Sequence, residues 1–153
     1  MVSKLRRIVQ KYGGSSLADA GKILNAAKRV GQAHDQGDQI VAVVSAMGDM
    51  TDELMNLAHQ ISSTPDLREL DVLISTGELK SCALMAIALR SLGFDAVSLS
   101  GSQAGIHTDT GFGKARIASV DPKRVLGELA AGRIVVVAGF QGVTKEMDTT
   151  TLG

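Results

Sequence analysis

The sequence predicts an α/β protein: a mostly parallel sheet with helices on both faces. Three observations carry that prediction. Apolar runs alternate with amphipathic stretches along the whole chain. Two of those runs, at 40–44 and 134–138, are apolar at every position, the pattern of strands covered on both sides. Glycine is abundant at 17 residues while proline numbers 2, which suits tight strand-to-helix turns.

The elements follow in order. Ile8-Val9-Gln10-Lys11-Tyr12 reads as a first strand that breaks at Gly13-Gly14. Ser16 can cap a helix there, with Asp19 three residues on, close to a capping box. Leu17, Ala20, Leu24, Ala27 and Val30 recur at helical spacing. A turn spans 34–38, and the run at 40–44 is the second strand, ending in Ser45-Ala46-Met47-Gly48. Leu54, Leu57, Ala58 and Ile61 mark a second helix, with Thr51 as its N-cap. After the Thr64-Pro65 break, residues 67–74 fit a buried helix, with a strand as the alternative. Residues 78–92 form a helix with Cys82, Met85 and Leu89 on one stripe, stopped by Gly93. Residues 95–100 alternate like a strand, and 101–113 read as a loop or an irregular hairpin arm. Asp121-Pro122 starts a helix that ends before Gly132, with Pro at the first helical position. A buried strand follows at 134–138, and the segment from Gly139 onward reads as a loop. No internal repeat or domain boundary interrupts this order, so residues 1–153 are read as one piece. Its close in Thr149-Thr150-Thr151-Leu152-Gly153, straight after a loop, reads as truncation.

Composition narrows the function classes. The chain is 44% hydrophobic and 21% charged, a balance that supports a packed core. Lys+Arg and Asp+Glu are equal at 16 each, so no charge excess points to nucleic acid or an anionic membrane. Aromatics make up 3%, with no Trp, which disfavours a base-stacking platform. Cys82 is the sole cysteine and has no internal disulfide partner; a reducing, cytoplasmic setting is expected. Lys4, Arg6 and Arg7 interrupt any N-terminal signal segment. No uninterrupted apolar run approaches the roughly 20 residues of a membrane span. His34, His59 and His107 are scattered without metal-ligand spacing, so no metal site is expected and all three read as surface or loop residues.

Chemistry gathers at the carboxyl ends of strands in an open α/β sheet. Three strands end in comparable loops: Lys11-Tyr12-Gly13-Gly14-Ser15-Ser16, then Ser45-Ala46-Met47-Gly48-Asp49-Met50-Thr51, then Gly139-Phe140-Gln141-Gly142. Parallel strands would bring all three to one cleft. In the first, paired glycines let backbone N–H groups approach an anion, the following helix adds its dipole, and Lys11 adds a mobile cation. Phosphoryl transfer needs that charge neutralisation. A plain tight turn is the alternative, since neither a Walker A spacing nor a third dinucleotide-type glycine is present. Ser45 and Thr51 are either simple caps or donors to a small polar substrate. Glu78, after Ser75-Thr76-Gly77, either complements a helix dipole or accepts a substrate ammonium group. Cys82 reads as a buried structural thiol, and Met47, Met50, Met55 and Met85 as core or pocket lining.

Taken together and in this order, these motifs, with Gly101-Ser102-Gln103-Ala104-Gly105 and the Thr-rich close, resemble those of aspartate kinases across about 8–153. The resemblance implies an amino-acid kinase fold, a three-layer αβα sandwich, of which this chain would be the N-terminal, substrate-binding lobe. It implies transfer of the γ-phosphoryl of ATP, carried with Mg2+, to the side-chain carboxylate of L-aspartate, giving 4-phospho-L-aspartate. That reaction opens lysine, threonine, methionine and isoleucine biosynthesis. On the family pattern Lys11 stabilises the moving phosphoryl group, and Gly13, Gly14 and Ser15 form the phosphate loop. Ser45, Thr51 and Glu78 hold aspartate, with Glu78 on its ammonium, and Phe140 lines the pocket. The family's run continues into an Arg-Gly-Gly-Ser-Asp segment, whose arginine and serine hold substrate carboxylates, then a nucleotide lobe and regulatory ACT domains. None of these lies within the 153 residues, and Lys145 is no substitute for that arginine. The expectation is therefore a chain without turnover alone. It would associate with the remainder of the enzyme or with itself through open sheet edges. Competing readings are a substrate-binding or structural fragment, and a glutamate, carbamate or uridylate kinase relative. The first loop and Gly-Phe-Gln-Gly favour aspartate.

Overall fold

A computed structural model describes residues 5–153; of the charges near the N-terminus, Lys4 lies outside the described residues. The β-branched runs become strands β1 (Arg7–Tyr12), β2 (Gln39–Val44), β3 (Ala96–Leu99) and β6 (Ile134–Ala138). They form one fully parallel sheet in the order β1-β2-β6-β3. Every residue of β6 is buried, as its unbroken apolar sequence requires for the strand in the middle. In β2 burial alternates: Ile40, Ala42 and Val44 are inward on one face.

Two cores sit on the two faces. Helices α1 (Ala20–Asp35) and α3 (Leu67–Ser91) cover one, where Ile23, Ala27, Val30, Met85 and Leu89 meet Ile40, Ile134 and Val136. Helix α4 (Lys123–Ala130) covers the other, with Leu129 against Val135, Val137 and Leu99. The result is the expected αβα layering. Helix α2 (Met50–Ile61) buries no residue of its own and leans on α3.

A second, smaller sheet was legible in the sequence only in part, through the hairpin-arm alternative for 101–113. It comprises β4 (Ile106–Thr108), β5 (Ile117–Val120), β7 (Gln141–Val143) and β8 (Thr149–Thr151), in the order β5-β4-β7-β8. Thus the 101–113 stretch contains a strand and opens a hairpin, and the final segment is a β7–β8 hairpin rather than a loop. The β-branched threonines of β8 supply the strand propensity that the glycines nearby obscure.

Several boundaries move for identifiable reasons. The α1 cap is Asp19, whose Oδ1 accepts the Lys22 N–H at 2.8 Å; Ser16 sits inside a short 3-10 turn, Gly14–Leu17. Thr51 lies in the first turn of α2, with Asp49 at the cap position. Pro122 occupies the cap of α4, and Asp121 Oδ1 accepts the Lys123 N–H. Residues 67–91 form one helix of 25 residues, not two elements. The Ser75 and Thr76 hydroxyls donate to the carbonyls of Val72 and Leu73 at 2.7 and 2.6 Å, so both hydroxyls are satisfied within the helix. By length and apolarity α3 would suffice to cross a membrane, but here it is the core helix, with Asp71, Ser75, Glu78 and Ser81 buried in contact with the fold. The histidines are ordinary: His34 packs edge-on to Phe94 with centroids 5.9 Å apart, His59 ends α2, and His107 lies within strand β4 rather than a loop.

Candidate active site

The parallel sheet places the ends of β1, β2 and β6 side by side, since Tyr12 pairs with Val44 and Val44 with Ala138. The loops leaving these strands therefore share one edge. Between them and α3 lies a cavity of about 280 Å³, lined among others by Lys11, Ser45, Thr51, Glu78 and Phe140. Lys11 comes from β1, Ser45 from the end of β2, Thr51 from α2, Glu78 from the middle of α3 and Phe140 from the β6–β7 turn.

Two glycines set the spacing of these parts. A Cβ on Gly14 would stand 2.8 Å from the Ala46 carbonyl oxygen, so only glycine lets the first loop lie against the second. The contact is sealed by the Gly48 N–H donating to the Gly14 carbonyl at 2.9 Å. A Cβ on Gly77 would meet Met50 at 3.1 Å and Ala46 at 3.2 Å, so this glycine admits the second loop and α2 close to α3. That approach brings Thr51 near Glu78.

Glu78 is the chemical centre of the pocket. Its side chain is nearly inaccessible, at 4% exposure. The Phe140 N–H donates to its two oxygens at 3.1 and 3.3 Å, and the Gln141 amide donates to Oε2 at 3.3 Å. Burial pushes its pKa up from 4.5 to about 7, against the downward pull of the Gln141 and Phe140 donors. One turn further along α3, burial and the neighbouring Glu78 charge push the Cys82 thiol up to about 12, so it is inert as a nucleophile. Its sulfur faces the Leu99 carbonyl at 3.8 Å.

The phosphate-loop candidates sit differently. Gly13 and Gly14 adjoin the cavity without lining it, and a Cβ on Gly13 would meet only open space. Ser15 lines a separate hollow of about 270 Å³ with Tyr12, Ser16, Lys22, Asn25 and Arg29. The expected helix dipole at the glycines is displaced, because α1 starts only at Ala20 and its first turn is already served by the Asp19 carboxylate. Positive charge beside the cavity therefore comes from Lys11.

Two buried polar residues lay outside the candidates drawn from the sequence. Gln141, 3% exposed, braces Glu78. Asp71, 1% exposed, accepts from the Thr151 N–H at 3.0 Å, the Thr151 hydroxyl at 2.6 Å and the Gly113 N–H. Asp71 pins β8 and the 111–114 loop to α3, and with Thr51 and Phe140 it borders a larger, mostly apolar cavity beside the first. A carboxylate within the apolar run 70–74 was the available signal for it.

The model of the amino acid kinase family matches residues 6–152. The aspartokinase of Bacillus sp. (strain MGA3) is 49% identical over 146 residues, covering 95% of this chain and 36% of that protein. The crystal structure of aspartate kinase from Synechocystis superposes with a TM-score of 0.80 at 39% identity, over 96% of this chain and 24% of that one. E. coli aspartokinase III, solved in complex with aspartate and ADP, gives a TM-score of 0.82 at 23% identity, over 97% of this chain and 43% of that one, and shares the fold. The chain thus spans about a third of the length of the curated relatives it matches.

Proposed function

The chain belongs to the amino acid kinase family, and from that premise we propose that residues 1–153 are the aspartate-binding part of an aspartate kinase. The carrying observation is the single cavity that Lys11, Ser45, Thr51, Glu78 and Phe140 share. At about 280 Å³ it is near the lower end of small-ligand pockets, roughly 300–1,000 Å³.

In the proposed complex, the Glu78 carboxylate accepts the α-ammonium of L-aspartate, Ser45 and Thr51 donate to its carboxylates, and the Phe140 ring closes one wall. The side-chain carboxylate then points toward Lys11 and the Gly13-Gly14 turn. One of its oxygens attacks the γ-phosphorus of ATP; the new O–P bond forms as the bond to the bridging oxygen breaks, and ADP leaves. The Lys11 ammonium offsets charge on the moving group, which is most of what such a transfer asks of a protein. Mg2+ belongs to the nucleotide here, carried on its phosphates as part of the substrate. Ser15, in its neighbouring hollow, is assigned to the phosphate side of the nucleotide. The reaction commits aspartate to lysine, threonine and methionine synthesis, in the cytoplasm. The relative named aspartokinase, 49% identical across nearly the whole of this chain, supports this substrate over the glutamate, carbamate or uridylate alternatives.

These 153 residues contain no counterpart of the arginine that the resemblance places on the substrate carboxylates. Loss of such a charge-assisted contact removes about 1.5–3 kcal/mol. The isolated chain is accordingly expected to bind aspartate weakly and to turn over no ATP. Calorimetry against aspartate and glutamate, with a coupled ATP assay, tests both points. Preference for glutamate would overturn the substrate. Turnover abolished by Lys11→Ala would overturn the view that this part is catalytically incomplete.

A further inference from the structure

Gln141 is the first residue of β7 and is buried beside Glu78, yet no step described above uses it. Its amide has three partners from two segments, the loop at Gly101 and helix α3. The amide oxygen accepts the Gly101 N–H at 3.1 Å, and the amide nitrogen donates to the Ser75 carbonyl at 3.3 Å and to Glu78 Oε2 at 3.3 Å. This fixes which way the amide points. A flip would set the carbonyl oxygen against two acceptors and leave the NH2 facing the Gly101 donor. The NH2 group must therefore face Glu78.

We propose that Gln141 is a positioning residue for substrate binding: its amide orients the Glu78 carboxylate toward the cavity and favours its ionised form. The proposal rests on Glu78 being the ammonium acceptor. Of the two groups that donate to Glu78, the Phe140 N–H belongs to the backbone and is present whatever the side chain, so Gln141 is the donor that sequence controls. The other groups facing Glu78 do not replace it. From β1, Lys11 lies on the same cavity as a mobile cation. From the β2–α2 side come the uncharged hydroxyls of Ser45 and Thr51. On α3 itself, Cys82 keeps its proton, and Asp71, two turns back, is occupied by Thr151 and Gly113. From the β6–β7 turn, Phe140 and Gln141 contribute no charge. A donor aimed at one carboxylate oxygen stabilises the charged form that an ammonium group needs, against the burial that opposes it.

Two measurements on the 153-residue chain test this. The first is the titration of the Glu78 carboxyl carbon, followed by NMR with 13C-labelled glutamate and assigned with Glu78→Gln. The second is calorimetric aspartate binding from mildly acid to mildly alkaline pH. In Gln141→Leu the Glu78 midpoint should rise by about one pH unit. Aspartate affinity should fall about fivefold near neutrality and about tenfold in mild acid, and recover at alkaline pH. Gln141→Met is closer to glutamine in shape and likewise removes the donor, so it should raise the midpoint to a similar extent, and it carries the test if the leucine variant does not fold. A merely structural role would lower affinity equally at every pH. An unmoved Glu78 midpoint in a folded variant overturns the proposal. If the midpoint moves but the parent chain binds no aspartate at any pH, the substrate reading falls and takes the word substrate out of the proposal, while the control of Glu78 by Gln141 stands.

Discussion

Glu78 shows how a residue ambiguous in sequence becomes decisive in place. In the sequence it stands at the head of an apolar stretch, where a glutamate commonly answers a helix dipole. In the fold it lies mid-helix, far from the N-terminus at Asp66, so the dipole explanation lapses. Its pKa then governs stability. The unfolded chain gives up this proton near 4.5 and the folded chain near 7, so between those values the folded state binds more protons. Stability attributable to Glu78 therefore falls as pH rises from about 4.5 to about 7 and is level above. Glu78→Gln should flatten that slope. It should leave stability nearly unchanged in acid and raise it by about 1–3 kcal/mol at mildly alkaline pH, as read by urea unfolding across pH. The same variant should lose aspartate binding, the pattern of a group kept for recognition at a cost in stability. Lys11 was legible for a plainer reason: a cation next to paired glycines at a strand end. Gln141 was not, because its importance comes from the facing of Gly101, Ser75 and Glu78, which are distant in sequence.

At the scale of elements, the strands of the main sheet and α1 could be read directly, from their apolar runs, alternation or helical spacing. Errors fell where two signals compete. Ser75-Thr76-Gly77 resembles a helix break, yet α3 runs through it with both hydroxyls satisfied on helix carbonyls and the neighbouring loop packed against Gly77. The β7–β8 hairpin escaped notice because its strands are only 3 residues each and much of what secures it comes from elsewhere. Arg68 pairs with Asp148 at 2.6 Å on the surface, and Asp71 holds Thr151 in the interior. The buried contact should dominate, since exposed ion pairs contribute about 0–1 kcal/mol. Asp71→Ala would strand the Thr151 N–H and hydroxyl and the Gly113 N–H. A loss of about 2–4 kcal/mol in urea unfolding is expected, against under about 1 kcal/mol for Arg68→Ala. Similar losses in the two variants would mean the interior clamp is not what holds the hairpin.

Across the whole molecule, the layering follows from the sequence because two fully apolar strands require cover on both sides. The smaller sheet does not, since its strands alternate with glycine-rich turns and one of its pairings, His107 with Val143, joins segments far apart in the chain. Within the main sheet β1 and β3 are edge strands, and Val9 on β1 is 68% exposed. Open strand edges with apolar side chains invite pairing. The 153-residue chain is therefore expected to self-associate at micromolar concentration; light scattering that shows a monomer throughout would refute this. The close approach at Gly77 has a wider meaning for the cavity. Thr51 reaches it on a helix that buries nothing of its own, and α2 stands where it does because position 77 has no side chain. The width of the cleft is thus written at a position on α3 that does not itself line the cavity. Selection could retune which acid fits there without altering a single group that touches it.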